Sequence, residues 1–318
     1  MLEVKNVTKN YGGLRAVDGV SFRLEKGEAL GLLGPNAAGK TTLMRIMAGY
    51  LPADGGSVLL DGLDIAESPV AVKRRIGYLP EIPPLYNDMT VKSYLLFAAE
   101  IKGVPKQARA SRSEEVMERT GVADVAGRLI RNISKGYRQR VGLAQAMIHK
   151  PDVLILDEPT VGLDPNQIIE IRNLIKELSE TNTILLSSHI LTEVSATCDR
   201  VVILNEGRVA AVDTQEGLAR RLRGGDALTV EVAGAKPGEA AQAFMSIDGV
   251  DGVEPASEVA PGSERFTVSC RAGFDARGPI FHKTAASGWT LLELSRDSIS
   301  LEDVFIKLTA DEEAASDA

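Results

Sequence analysis

The run Ala29–Thr41, ALGLLGPNAAGKT, restricts the fold more than any other stretch of the chain. Its first five residues are apolar without a break and read as a buried strand; Gly34 to Thr41 match GxxxxGK followed by Ser or Thr. The next segment, TLMRIMAG, has helical spacing. A strand that feeds a glycine-rich turn and then a helix aims successive backbone N–H groups and a helix N-terminus at one point, which suits a polyphosphate. In such a loop Lys40 reaches the β- and γ-phosphates and Thr41 holds Mg²⁺.

Three further apolar runs read as buried strands: Val153 to Leu156, Thr183 to Leu186 and Val201 to Leu204. Helical patterns separate them, in KTTLMRIMAGY, MTVKSYLLFAAEIKG, YRQRVGLAQAMIHK and NQIIEIRNLIKELSE. Strands alternating with helices imply an α/β domain with a largely parallel sheet. The opening segments LEVKNVTKNYGG and AVDGVSFRLEKGE alternate apolar and polar residues instead, as half-buried antiparallel strands do. Asp157 and Glu158 end one buried strand, where ligands of open α/β sheets collect. Neighbours on a strand point opposite ways, so the two acids cannot share a task. Asp157 fits a Mg²⁺ ligand, and Glu158 fits a group that orients or deprotonates an attacking water. His189 follows a third strand in the same way, whereas His149 and His282 read as structural or surface residues.

Near RRLRGGDA, around residue 225, charge and glycine mark a linker. After it the pattern reads βαββαβ, a small ferredoxin-like module, then a helix at SLEDVFIKLTA and an acidic tail. With 36 basic against 44 acidic residues the net charge is -8, which argues against nucleic acid as a partner. Cys198 and Cys270 have neither metal-ligand nor disulfide spacing and read as buried thiols. No run approaches the roughly 18 apolar residues that a membrane helix requires, so a direct span is not expected.

These pieces resemble the ATP-binding cassette (ABC) ATPases, over roughly Leu2 to Ala219. The motifs that carry the resemblance are GPNAAGKTT, VLILDEP, the D-loop-like GLDP at Gly162 to Pro165, and His189 in the place of the switch histidine that contacts the γ-phosphate. NISKGYRQR stands at the signature motif, usually Leu-Ser-Gly-Gly-Gln; Ser134 and Gly136 are retained, while Lys135 and Tyr137 replace the usual Gly and Gln. The resemblance implies a P-loop cassette at 1–222, with a mostly parallel core, an antiparallel β subdomain and a helical subdomain at about 84–150. The small α+β module would occupy 226–310 and the acidic tail 311–318.

The implied ligands are ATP and Mg²⁺. Nucleotide contacts fall on Tyr11, stacked on adenine, on Gly34, Pro35, Asn36, Ala37, Ala38 and Gly39, and on Lys40, Thr41 and Thr42. Ser134 and Gly136 would complete the site of a second copy in a head-to-tail dimer. Thr41, Asp157 and Glu81 would serve Mg²⁺, Glu81 replacing the usual Q-loop glutamine; Glu158, His189 and Lys40 would carry hydrolysis. Ala37 replaces a usual glycine, a change tolerable only if that position has negative φ. GYLPE, SKGYRQRVGLAQA and SLEDVFIKLT are similar to the ABC-2 exporter branch, in a subgroup associated with gliding motility and multidrug-type or copper-related export. A membrane permease would dock along Ile82 to Phe97, with Leu85, Tyr86 and Met89 exposed, leaving the chain peripheral on the cytoplasmic side of the cell membrane. The alternative within the family is a non-transport ABC ATPase acting as an ATP-gated regulatory or assembly module.

Overall fold

The computed structural model describes residues 1–214, 217–218, 226–256, 262–271 and 273–296. These fall into two compact units, one through Thr214 and the other within Asp226–Arg296. The expected closing helix at SLEDVFIKLTA and the acidic tail lie outside the described residues.

In the first unit, β1 (Leu2–Tyr11) and β2 (Leu14–Leu24) pair antiparallel, as their alternation requires. β4 (Gly55–Leu60) and β5 (Leu63–Asp64) extend this sheet in the order β2-β1-β4-β5. The second sheet contains β3 (Ala29–Leu33), β6 (Ile76–Leu79), β7 (Val153–Asp157), β8 (Thr183–Ser188), β9 (Arg200–Asn205) and β10 (Arg208–Thr214), in the order β10-β9-β3-β8-β7-β6. All its pairs are parallel except β10 with β9. Every residue of β3, β6, β7 and β8 is buried, which explains the short apolar runs at their centres.

The register of this sheet sets the level of the site. Leu33 stands opposite Ser188, and Asp157 opposite Ser187, so β3, β8 and β7 end at one height and release their loops toward one place. The helix α1 (Lys40–Met47) packs Leu43, Met44, Ile46 and Met47 into a core with Leu30, Leu32, Ile155 and Leu185. Each such fully buried side chain contributes roughly 1.5–3 kcal/mol, which holds the loop before α1 against the sheet.

A helical group comprises α3 (Val91–Ile101), α4 (Arg109–Arg119) and α5 (Lys135–Met147), preceded in the chain by the short α2 (Pro69–Lys73). Helix α5 starts two residues earlier than YRQRVGLAQAMIHK indicates, because Ser134 caps it: its hydroxyl accepts from Tyr137 N at 3.3 Å. Helix α3 begins after Thr90, whose hydroxyl accepts from Ser93 N. α6 (Pro165–Ser179) follows β7, and α7 (Leu191–Thr197) follows β8.

The second unit has the expected βαββαβ order: β11 (Asp226–Ala233), α8 (Glu239–Met245), β12 (Val250–Pro255), β13 (Ser263–Cys270), α9 (Arg277–Ala286) and β14 (Thr290–Arg296). Its sheet is antiparallel throughout, in the order β12-β13-β11-β14. Leu228, Val230, Phe266, Val268 and Ile280 form its core, and Phe244 sets its ring edge-on to Phe266 and Trp289. Cys198 and Cys270 are both free and buried. None of the described helices is long and apolar enough to cross a membrane.

Candidate active site

The loop after β3 wraps around the ammonium of Lys40, which donates to the carbonyls of Gly34 at 2.7 Å and Pro35 at 3.1 Å. Glycine is required at Gly34 because a Cβ there would stand 2.6 Å from Leu204 O. It is required again at Gly39, where φ is 97° and a Cβ would collide with Ala16 O. Ala37 corrects the sequence reading: its φ is 68°, not negative. The loop therefore keeps the left-handed turn expected of glycine and accepts the Cβ strain.

Lys40 is buried, and desolvation pulls its pKa down although Glu158 and Asp157 oppose the shift. Glu158 Oε1 lies 3.7 Å from the ammonium, while Oε2 accepts a hydrogen bond from His189 Nδ1 at 2.8 Å. A carboxylate can only accept here, so Nδ1 carries the hydrogen. Glu158 has φ 47°, an unusual conformation for a residue with a Cβ, and its N–H donates to Ser187 Oγ at 2.9 Å. That turn points its carboxylate sideways into the space between Lys40 and His189. Strained backbone of this kind costs of order 1–3 kcal/mol and gathers at functional sites.

Asp157 faces the other way and is buried. Ser187 Oγ donates to its Oδ1 at 2.8 Å, Thr41 Oγ1 stands 3.4 Å from the same oxygen, and Tyr78 OH is 3.5 Å from Oδ2. Desolvation above all, with the nearby charges of Glu158 and Glu81, pushes its carboxyl pKa up against the Ser187 and Thr41 hydrogen bonds. A divalent cation would reverse that balance. The donor set, the Thr41 hydroxyl beside the Asp157 carboxylate with Glu81 in the same cavity lining, is the oxygen-only kind that Mg²⁺ takes, with one or two protein carboxylates and the rest from water and phosphate.

A cavity of about 600 Å³ lies in front of these groups. Its lining comprises Pro35 to Thr42, with Glu81, Glu158, Val161 and His189, and with Tyr11, Leu14 and Ala16. Tyr11 lines the cavity and is about half exposed. The structure thus gathers Tyr11, the loop residues, Glu81, Glu158 and His189, with Asp157 and Gly34 immediately behind.

The lining includes neither Ser134 nor Gly136. They sit at the start of α5, where Gly136 packs so tightly on Gln167 that a Cβ would approach its side chain to 2.9 Å. Lys135 reaches its own chain: a Cβ on Gly162 would collide with its Nζ. Tyr137 OH donates to Asp124 Oδ2 at 2.8 Å. His149 is structural, its Nε2 hydrogen-bonded to Ile76 O at 3.1 Å, and burial pushes its pKa down to about 4. His282 lies exposed on α9. Sequence reasoning missed Ser187, Tyr78, Leu14 and Ala16. Ser187 alone carried a signal, being the hydroxyl residue two places before His189 on a strand already read as ending at the site.

The model of the ABC transporter family matches residues 17–161. The linearmycin resistance ATP-binding protein LnrL of Bacillus subtilis (strain 168) is 37% identical over 74% of this chain and 76% of its own. The chain belongs to the ABC transporter family. As an ABC ATP-binding subunit it is also 34% identical to the Nod factor export ATP-binding protein I of Burkholderia pseudomallei (strain K96243), over 98% of this chain and 97% of that one. The solved structure of an ATP-binding subunit of an ABC transporter superposes with a TM-score of 0.64 at 31% identity, covering 70% of this chain and 93% of that chain. The protein is accordingly an ABC ATPase, and the cavity bounded by Tyr11 and Lys40 has the chemistry for ATP.

Proposed function

We propose that this subunit hydrolyses ATP between two head-to-tail copies and thereby drives export through a separate membrane subunit. The observation that carries the hydrolytic reading is Glu158, held between the ammonium of Lys40 at 3.7 Å and the imidazole of His189 at 2.8 Å, at the edge of the cavity. In this reading Lys40 exchanges the Gly34 and Pro35 carbonyls for the β- and γ-phosphate oxygens, whose negative charge offsets the desolvation that depresses its pKa. Glu158 accepts hydrogen from a water placed in line with the γ-phosphorus, and His189 fixes the carboxylate and meets the γ-phosphate. Thr41, Asp157 and Glu81 would hold Mg²⁺, which when bound offsets negative charge on the β- and γ-phosphates. Tyr11 would stack on adenine.

Ser134 and Gly136 lie outside their own cavity, which supports their serving the nucleotide of a second copy. Export is supported by the likeness to the Nod factor export ATP-binding protein I. The ABC-2 branch, and within it the gliding-motility and multidrug-like subgroup, rests on the segments GYLPE, SKGYRQRVGLAQA and SLEDVFIKLT. Docking of the membrane subunit along Ile82 to Phe97 is supported by Ile82 and Tyr86, which are 79% and 54% exposed. Leu85 and Met89, expected to be open, are half-buried. A subunit docked there would hold the chain on the cytoplasmic face of the membrane.

An ATPase assay on the full chain, alone and with its membrane subunit, tests the reading. Glu158→Gln is expected to lower kcat by about 100-fold or more while ATP still binds. A wild type without turnover in both settings would replace it with the regulatory, binding-only alternative.

A further inference from the structure

We propose that Glu193, which the hydrolysis described above does not use, is a positioning residue that sets His189 and the turn after Glu158 against each other; the proposal rests on the reading of this site as an ATPase. Glu193 lies in the first turn of α7 and is 3% exposed. Its Oε2 accepts from Thr160 Oγ1 at 2.7 Å and from Ser188 Oγ at 3.0 Å, both donors also buried. Thr160 lies two residues after Glu158, in a turn closed by the bond from Val161 N to Glu158 O at 3.2 Å. Ser188 immediately precedes His189, and its Oγ also accepts from Ile190 N at 2.9 Å. One carboxylate oxygen therefore anchors both loops whose tips meet in the bond between His189 and Glu158.

The other oxygen gives the arrangement its meaning. Oε1 of Glu193 is buried and makes no hydrogen bond. A buried carboxylate oxygen without a donor is costly, and a tie between two hydroxyls needs only one accepting oxygen, which an amide supplies without a charge. Both donors converge on Oε2, and the Thr160 bond is short at 2.7 Å, which stiffens the link between the two loops. That stiffness falls directly behind the pair on which water activation depends. A tilt of either loop would move the Glu158 carboxylate against its water, and misplacements of about 1 Å cost up to about 100-fold in rate.

The sequence carries three histidines, His149, His189 and His282, so a histidine-labelled sample gives three assignable imidazole signals. Glu193→Ala is expected to lower kcat by about 100-fold, with the ATP KM changed by no more than about threefold. The His189 signal should shift while those of His149 and His282 stay in place. Glu193→Gln, which keeps an accepting oxygen, should recover most of kcat and the His189 signal. If Glu193→Ala does not fold, Thr160→Val removes one donor at nearly constant shape and should still shift the His189 signal. A folded Glu193→Ala with kcat within about twofold of wild type, or a His189 signal that none of the variants moves, overturns the proposal. A wild type with no turnover defeats the ATPase reading instead, and the histidine spectra still decide whether Glu193 positions His189.

Discussion

Asp157 bears the electrostatic tension of the site: it is buried, the charges of Glu158 and Glu81 lie nearby, and desolvation above all raises its carboxyl pKa. An acid whose native pKa exceeds its unfolded value contributes stability that is full below the unfolded value and is lost as pH rises through the native one. Asparagine does not titrate, so the thermal advantage of Asp157→Asn over wild type, measured without nucleotide, should grow between about pH 4 and pH 7. At neutral pH a gain of about 2–4 °C is expected, the shift that roughly 1 kcal/mol gives a protein of this size. An advantage that shrinks with pH would contradict the assignment. Ala37 provides a second residue-scale test. Its φ of 68° strains a Cβ, so Ala37→Gly should stabilise the chain by about 0.5–1 kcal/mol in denaturant unfolding, strain relief exceeding the added unfolded-state entropy. Lys135 poses a related question, since its ammonium rests on Gly162 of its own chain. Lys135→Gly should leave the salt dependence of ATP-driven dimerisation unchanged if that resting place persists in the dimer; a flatter salt dependence would place the charge on a phosphate of the second copy.

At the scale of elements, the site exists because three parallel strands end at one level, and this much was legible in the sequence. The runs at β3, β7, β8 and β9 are short, apolar and bounded by polar or turn residues, so their position in a covered sheet followed from their composition. What the sequence reading omitted has identifiable physical causes. Helix α4, RASRSEEVMER, buries Val116 and Met117 but also Arg112, whose guanidinium hydrogen-bonds to the Met147 and Ile148 carbonyls, so no apolar stripe announced it. Strand β6 has only four residues and includes Gly77, needed because a Cβ there would collide with Ala146 O on α5. Within the site, Lys40, Thr41, Glu158 and His189 follow from motif and strand end; Ser187 carried a weaker signal and is placed by its register opposite Asp157, whereas Thr160 and Glu193 emerge only from the contact of the turn after β7 with α7. The start of α5 makes a prediction at this scale. Ser134→Ala removes the cap on Tyr137 N and should cost about 1 kcal/mol in denaturant unfolding. Ser134→Asp restores a capping oxygen and should recover that stability, yet its charge would repel the phosphate that the proposed dimer brings there.

For the whole molecule, coupling to a membrane subunit in the proposed reading requires exposed apolar protein contacts. The segment after Glu81 is placed to provide them. Glu81 lines the nucleotide cavity, and Ile82 immediately follows it with most of its apolar surface in solvent. Tyr86 rests its ring against Tyr94 and Phe97 while remaining 54% exposed. Met89 is less suited to an outward role, because its carbonyl accepts from Ile130 N and the residue is half-buried. A charge at Met89 would therefore mix lost docking with lost stability. Ile82→Glu combined with Tyr86→Glu separates the two, since large exposed apolar residues contribute little to folding and much to an interface that buries them. The double variant should melt within about 2 °C of wild type and keep the ATPase rate of the isolated subunit. Copurification with the membrane subunit should fall by about tenfold or more, which corresponds to roughly 1.4 kcal/mol. Unchanged copurification from a folded, active double variant would move the docking surface elsewhere, and the neighbouring groove of about 400 Å³ bordered by Tyr50, Val70 and Ile101 would be the next to test.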